Sequence, residues 1–122
     1  MPFKIIAILG CGGDRDKSKR PLMGAALIAG SDVAIFTSDN PRSESAAVIL
    51  QQMTEGLQLK DSGVVEVDRK QAIDLAVKMA KPDDVILLMG KGHEIGQEIN
   101  GVVTPFDDRV ELVESIKRLV VS

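Results

Sequence analysis

The sequence predicts an α/β domain with three layers, in which a mostly parallel sheet is flanked by helices. Three observations support this prediction. Short apolar runs of strand length recur along the chain, segments with apolar residues three and four apart separate them, and polar loops follow most of the runs. Strand and helix alternate through all 122 residues, and such alternation favours parallel strands joined by helical crossovers. Because no linker or repeat interrupts the pattern, residues 1–122 are predicted to form one domain.

The four main strands are predicted at residues 3–9, 32–37, 64–67 and 85–89. The first and last are continuous apolar runs, which is typical of parallel strands buried on both faces. A small hairpin is predicted at residues 99–102, where Asn100 and Gly101 suit a two-residue turn.

Two helices are predicted in the first half of the chain. The first begins at Pro21 and ends at Gly30, since proline suits a first helical turn and glycine ends a helix. Its inner face is predicted to consist of Leu22, Met23, Ala26, Leu27 and Ala29. The second begins at Ser43 or Glu44, with an inner face of Ala47, Leu50, Met53 and Leu57.

Two further helices are predicted in the second half. Asp68 and Gln71, three residues apart, resemble a capping box that begins the third helix. Its inner face is predicted to be Ile73, Ala76, Val77 and Ala80. Asp107 or Asp108 caps the last helix, which is predicted to turn Val110, Val113, Ile116 and Val120 inward.

Composition excludes several classes of function. A net charge of −3 argues against a nucleic-acid partner, and 2% aromatic residues argue against base-stacking surfaces. Cys11 is the single cysteine, so neither an internal disulfide nor a thiolate metal site is predicted. No segment approaches the roughly 18 apolar residues that a membrane helix needs. The sequence therefore predicts a soluble, cytoplasmic protein without a membrane partner.

Three polar loops follow predicted strands, at residues 10–17, 38–42 and 90–94. In open α/β sheets, ligands bind beyond the carboxyl ends of the strands, where such loops gather. We therefore expect the three loops to form a single site.

None of these loops carries a standard nucleotide or zinc motif. The first lacks the third glycine of the dinucleotide fingerprint, no Walker loop occurs, and Gln97 stands where a zinc motif beginning at His93 needs its second histidine. Two simpler interpretations stay open, namely a glycine turn with solvated charges and a surface pair between Asp39 and Arg42. A nucleotide-binding protein of Rossmann type is a further alternative.

Taken together, four segments resemble the C-terminal domain of the Mur ligase family, which is Rossmann-like. They are Gly-Cys-Gly-Gly-Asp-Arg-Asp-Lys at 10–17, Ser-Asp-Asn-Pro-Arg at 38–42, Gly-Lys-Gly-His-Glu at 90–94 and Phe-Asp-Asp-Arg at 106–109. The segments follow in the family's order and cover nearly the whole chain. Asp-Asn-Pro-Arg is similar to the segment by which some members of the family recognise meso-diaminopimelate.

This resemblance implies a site for the incoming amino acid. It assigns meso-diaminopimelate to Arg15, Asp39, Asn40, Arg42, Gly90 and Glu94. A guanidinium at Arg42 suits the distal carboxylate, which lysine lacks, because it binds carboxylates through two parallel hydrogen bonds. Asp14 and Lys17 are implied to lie near a nucleotide. No residue of this chain is assigned a catalytic role or a metal.

The resemblance also implies a reaction that this chain performs only as part of a larger enzyme. A ligase of the family phosphorylates a carboxylate of UDP-MurNAc-L-Ala-D-Glu with ATP and Mg²⁺, and the amine of the amino acid then attacks the acyl phosphate. The UDP-binding and central ATPase domains are absent from this sequence. We therefore expect residues 1–122 to bind no cofactor tightly and to be inactive alone. The alternative is a stand-alone amino-acid or nucleotide binding module without catalysis.

Overall fold

A computed structural model describes residues 3–13, 16–59, 62–90 and 96–121 of the chain. Strands and helices alternate in the predicted order, and the architecture is the predicted three-layer α/β sandwich with a small hairpin near the C-terminus. Among these residues, no helix has both the length and the apolar composition needed to cross a membrane.

The described elements begin and end within a few residues of their predicted positions. The strands are β1 (Ile5–Cys11), β2 (Val33–Ser38), β3 (Gly63–Val65), β4 (Val85–Met89), β5 (Gly96–Ile99) and β6 (Val102–Pro105). The helices are α1 (Arg20–Gly30), α2 (Ala46–Met53), α3 (Arg69–Met79) and α4 (Asp108–Val121), and a short 3-10 helix spans Lys17–Lys19.

The four main strands form one parallel sheet in the order β3-β2-β1-β4. The chain moves outward from β1 to β2 and β3, and then returns to β4 on the other side of β1. The strand order therefore reverses between β1 and β4, and such a reversal is the usual position of a ligand site in open α/β sheets.

Alternate residues of the central strands face two separate apolar layers. Ala7 and Leu9 of β1 pack in a cluster with residues of α1 and α2, whereas Ile6 and Ile8 pack with residues of α3. A fully buried isoleucine such as Ile6 or Ile8 contributes about 1.5–3 kcal/mol. Residues adjacent in β1 therefore hold opposite layers of helices against the sheet.

The hairpin and the α3 cap form largely as predicted. Asn100 and Gly101 have positive φ angles of 51° and 79°, as a type I′ turn requires, and they join β5 to β6. Asp68 accepts a hydrogen bond from the Gln71 N–H at 3.1 Å. The reciprocal half of the capping box differs, because the Asp68 N–H donates to the Glu66 carboxylate.

The predicted inner faces of α1, α2 and α4 were wrong in part. In α1 the buried residues are Arg20, Gly24 and Leu27, and the exposed ones include Leu22, Met23, Ala26 and Ala29. In α2, Ile49 is buried with Leu50 and Met53, whereas Ala47 is exposed. In α4 the predicted Val110, Val113 and Ile116 are exposed, and the side chain of Val120 lies outside the described ones.

Buried polar contacts explain the rotations of α1 and α4. The Arg20 guanidinium is buried among acceptors on the inner side of α1. In α4, Asp108 and Ser115 are buried and bond to α3. A buried charge or hydroxyl without its partner costs more than an exposed valine, so these contacts orient the helices.

The Arg69–Asp108 ion pair ties three parts of the fold together. Arg69 donates from Nε and Nη2 to the Asp108 carboxylate at 2.8 and 2.6 Å. It also donates to the carbonyls of Ser38 and Met89, each at 3.1 Å. These carbonyls end β2 and β4, so one guanidinium links both strands to α4. Asp108 was predicted as a possible cap, but the N-terminal position belongs to Asp107, whose carboxylate accepts from the Arg109 N–H.

We expect Asp108→Ala to destabilise the domain by about 3–5 kcal/mol, because it leaves a buried guanidinium without its carboxylate. Urea unfolding followed by circular dichroism measures this loss. Asp107→Ala is the matched control, since it removes the neighbouring carboxylate, whose partner Arg109 is exposed and not buried like Arg69. It is expected to cost much less, and equal losses in the two variants would contradict the assignment.

A second polar contact joins α3 to α4. The Asp74 carboxylate accepts from Ser115 Oγ at 2.6 Å and from Arg118 Nη2 at 2.8 Å. Burial alone raises the pKa of Asp74, but these hydrogen bonds outweigh it and lower the pKa below the ordinary value of 3.8. A carboxyl whose folded pKa is lowered adds stability above its unfolded pKa, and this stability is lost as the pH falls through the folded pKa.

The free energy of unfolding of the native chain is therefore expected to fall more steeply below about pH 4 than that of Asp74→Asn, which cannot ionise. Urea unfolding at a series of pH values from about 5 to 2 tests this difference. Parallel curves for the two proteins would show that Asp74 contributes nothing to the acid dependence.

Candidate functional site

The described residues that follow β1, β2 and β4 lie at the carboxyl edge of the sheet, and of the predicted loop at 90–94 only Gly90 is among them. The Gly13 N–H donates to the Asn40 carbonyl at 2.6 Å, which joins the first loop to the second. A side chain at Gly13 would collide with the Pro41 carbonyl, because an ideal Cβ would lie 1.7 Å from its oxygen. Gly90, predicted as a site residue, has a positive φ of 105° and lies against the Gly10 carbonyl.

Arg42 lies at the junction of the first two loops. Its Nη1 donates to the Gly13 carbonyl at 2.9 Å and, at the longer distance of 3.4 Å, to the Asn40 carbonyl. Its backbone has a positive φ of 55°, which is uncommon for a residue with a long side chain. The predicted surface pair with Asp39 is not among the described ion pairs.

Asn40 is buried, and its side chain supports the backbone of the hairpin. Its Oδ1 accepts a hydrogen bond from the Glu98 N–H at 2.9 Å, and its carbonyl accepts the bond from Gly13. The predicted role of Asn40 was contact with an amino acid. The described contacts of Asn40 are structural ones that fix the loop beside Arg42.

Asp39 lies on the other side of the loop, in a cleft of ≈ 340 Å³ at the β1–β4 reversal. The described residues lining this cleft are Gly10, Cys11, Gly12, Asp16, Lys19, Arg20, Met23, Asp39 and Gly90. Two predicted site residues, Asp39 and Gly90, therefore share one cleft, whereas Asn40, Arg42 and Lys17 are not among its described lining residues.

Lys17 is exposed and pairs with Glu44, with Nζ 3.6 Å from Oε1. Glu44 also accepts two hydrogen bonds from Arg20, at 3.1 and 2.8 Å. Lys17 thus belongs to a charged cluster at the start of α2, and its predicted place near a nucleotide stays a prediction.

Arg20 was missed as a site residue. Its side chain is buried, and it donates to the Gly12 carbonyl at 3.0 Å and to Gln52 at 2.6 Å. It therefore joins the glycine-rich loop to α2 through Glu44 and Gln52. In the sequence, only the position of Arg20 before Pro21 could have indicated this role. A basic residue at the start of a helix is ordinarily exposed, so that position did not indicate a buried side chain.

Gln97 is a second residue that was not predicted to belong to the site. In the sequence it stood out only because it occupies the position where a zinc motif needs its second histidine. Its carboxamide donates to the Asp39 carbonyl at 2.7 Å and to Ser38 Oγ at 3.1 Å. A larger open cleft of ≈ 660 Å³ lies beside it, and its described lining comprises Ser38, Pro41, Ser43, Glu44, Ser45, Ala46, Val67, Asp68, Arg69, Gln97, Ile99 and Asn100.

Three predicted site residues, Asp14, Arg15 and Glu94, lie outside the described residues, as does His93. Within residues 3–13, 16–59, 62–90 and 96–121, no three acidic, histidine or cysteine side chains form a group that could hold a metal ion. Burial raises the pKa of the Cys11 thiol, and the Arg20 charge offsets this only in part. Cys11 is therefore a protonated thiol at neutral pH and a poor nucleophile.

Comparison with known proteins identifies relatives across nearly the whole chain. The protein is 52% identical over 120 residues to UDP-N-acetylmuramoyl-L-alanyl-D-glutamate–2,6-diaminopimelate ligase of Streptomyces coelicolor, covering 94% of this chain and 24% of that protein. It is 49% identical over 105 residues to the protein of the same name from Aquifex aeolicus, covering 86% of this chain and 22% of the relative. The chain thus spans about a quarter of the length of the curated relatives it matches.

A solved structure of a UDP-N-acetylmuramoyl-L-alanyl-D-glutamate–2,6-diaminopimelate ligase has the same fold. It superposes with a TM-score of 0.91 at 42% sequence identity, over 96% of this chain and 24% of that one. Residues 1–92 also match the family described as "Mur ligase, glutamate ligase domain". The chain therefore belongs to the Mur ligase family and matches its glutamate ligase domain.

Proposed function

We propose that this chain is the C-terminal domain of an ATP-dependent ligase that adds meso-diaminopimelate to UDP-MurNAc-L-Ala-D-Glu. The names of the relatives at 52% and 49% identity support this substrate. They favour a ligase over the alternative of a stand-alone binding module. Because the chain spans about a quarter of those proteins, the remaining domains of the ligase supply the rest of the reaction.

In this proposal Arg42 determines which amino acid binds. Both of its described side-chain hydrogen bonds start from Nη1. The proposal assigns the edge formed by Nε and Nη2 to the distal carboxylate of diaminopimelate, since that edge suits two parallel hydrogen bonds. Lysine has no carboxylate at this end, so it would leave both donors unpaired.

The other predicted residues complete the proposed amino-acid site. Arg15 and Asn40 support the carboxylate end, and Glu94 and the Gly90 carbonyl accept the distal ammonium group. Asp39 shares the cleft with Gly90 and adds negative charge there.

In this proposal the domain positions the incoming amino acid and supplies no reacting group. The substrate carboxylate is activated as an acyl phosphate, the free amine of diaminopimelate attacks its carbonyl carbon, and phosphate leaves as the amide bond forms. Holding the amine in line removes the entropy cost of a bimolecular encounter. Closure of the domain over the activated carboxylate excludes water that would hydrolyse it.

ATP and Mg²⁺ belong mainly to the rest of the ligase in this proposal. The sequence contains no Walker loop, and the described residues group no three metal-ligating side chains. ATP supplies the phosphoryl group that activates the carboxylate. Asp14 and Lys17 are proposed to approach the nucleotide when the domain closes. Because ATP and UDP-linked precursors are cytoplasmic compounds, the proposal places the enzyme in the cytoplasm.

Amide chemical shifts followed by NMR during titration with meso-diaminopimelate test the proposed substrate. We expect saturable shifts at Gly13, Asn40, Arg42 and Gly90, and an affinity roughly a hundredfold higher than for L-lysine. Equal affinity for the two amino acids would contradict the proposal that this chain selects diaminopimelate. If neither binds, the titration is repeated in a hybrid ligase, in which this chain replaces the matching segment of the Streptomyces coelicolor relative.

Arg42→Lys separates a ligand-binding role from a structural one. The ammonium group keeps the charge but cannot form two parallel hydrogen bonds, so diaminopimelate affinity is expected to fall by about thirtyfold or more. The free energy of unfolding is expected to change by less than about 1 kcal/mol. Arg109→Lys, on the exposed side of α4, is the control and should leave binding unchanged. A loss of stability that matches the loss of affinity would make Arg42 a structural residue.

A further inference from the structure

The β5–β6 hairpin is bonded to the loop that carries Arg42. The Arg42 N–H donates to the Glu98 carbonyl at 3.0 Å, and the Asn100 N–H donates to the Arg42 carbonyl at 2.7 Å. These bonds form a short parallel bridge between Arg42 and Ile99. The Glu98 N–H completes the contact by donating to Asn40 Oδ1 at 2.9 Å. The hairpin therefore holds Arg42 through its backbone.

Gln97 adds a side-chain contact from the same strand. Its carboxamide nitrogen donates to the Asp39 carbonyl at 2.7 Å and to Ser38 Oγ at 3.1 Å. Ser38 Oγ in turn donates to the Val67 carbonyl at 2.7 Å. One amide thus joins the hairpin to the end of β2 and, through Ser38, to the segment before α3. Both of its acceptors lie within four residues of Arg42.

The backbone of Arg42 requires such support. A φ of 55° is unfavourable for a residue with a Cβ atom, and it persists only where the surroundings hold it. The hairpin bonds both the N–H and the carbonyl of this residue. The direction in which the Arg42 side chain leaves the loop therefore depends on where the hairpin lies.

We propose that the β5–β6 hairpin is a positioning element for the Arg42 guanidinium, and that Gln97 is the positioning residue that locks it to the loop. This inference rests on the proposed function, because it gives Arg42 a ligand to be positioned for. Two parallel hydrogen bonds to a carboxylate require the guanidinium within about 0.5 Å of its productive place. The preference for diaminopimelate over lysine then depends on Gln97, which acts by positioning Arg42.

Steady-state kinetics of the hybrid ligase test this role with two variants. Gln97→Leu removes the carboxamide N–H donors, and Gln97→Glu keeps the shape of the side chain without those donors. Loss of these hydrogen bonds is expected to raise the KM for diaminopimelate about tenfold. The KM for ATP and kcat are expected to stay within about twofold, because Arg42 is proposed to hold the distal carboxylate and not the reacting amine. The preference for diaminopimelate over lysine should fall as well.

A control variant separates positioning from general loss of stability. Ser115→Ala removes a buried hydroxyl that bonds Asp74 of α3 and makes no described contact with the hairpin. This variant should not raise the KM for diaminopimelate. If Gln97→Leu lowers the melting temperature as Ser115→Ala does and leaves that KM unchanged, the positioning role is wrong.

Amide hydrogen exchange in the 122-residue chain gives a readout that needs no ligand. Gln97→Leu is expected to speed exchange at the Arg42 and Asn100 N–H groups by about tenfold more than Ser115→Ala does. If the hybrid ligase shows no preference for diaminopimelate, the proposed function fails, and faster exchange at these two groups still supports the positioning role. Unchanged exchange there overturns the role, whatever the substrate.

Discussion

The buried Arg69–Asp108 pair is the interaction on which the arrangement of the site depends. Arg69 donates to the last carbonyls of β2 and β4, and the residues that follow are Asp39 and Gly90. Two of the three site loops therefore start from carbonyls held by one guanidinium. Asp108 neutralises that guanidinium and brings the start of α4 against the sheet. A cation buried this deeply is stable only with its carboxylate and its hydrogen bonds.

Above this anchor, the loops are held by their own backbones. Gly13 bonds the Asn40 carbonyl, Arg42 bonds the hairpin on both sides, and Gly90 packs against Gly10. Glycine matters at Gly13 because any side chain would overlap the Pro41 carbonyl. Backbone hydrogen bonds leave less freedom than side-chain contacts alone, since each fixes two peptide groups at once. Such a frame suits the proposed task of the domain, which is to present an amine at a defined angle.

Charged residues around the candidate site have structural partners. Arg20, Lys17 and Glu44 form one cluster, in which Glu44 accepts from both cations. Arg20 is buried and holds the Gly12 carbonyl, so it supports the glycine-rich loop from below. Lys17 is exposed and its contact with Glu44 is long, so this ion pair contributes little to stability. Ligand contacts by Lys17 therefore cost the fold little, whereas those by Arg20 would cost it a great deal.

The order of strands and helices, the Asp68 cap of α3 and the Asn100–Gly101 turn were all determined by the sequence itself. Each follows from local preferences, such as apolar runs, an acid before a helix, or the tolerance of two residues for positive φ. The resemblance to the Mur ligase family was likewise evident from the sequence, and the relatives bear it out. Only the tertiary structure decided which faces of α1 and α4 are buried, and that Arg20, Arg69 and Gln97 support the site. The physical reason is that these residues act through partners 24 to 59 positions away in the chain, as in the Arg20–Glu44, Arg69–Asp108 and Gln97–Ser38 contacts. A buried arginine and an exposed one have the same sequence signal, and the acceptors that distinguish them exist only after folding.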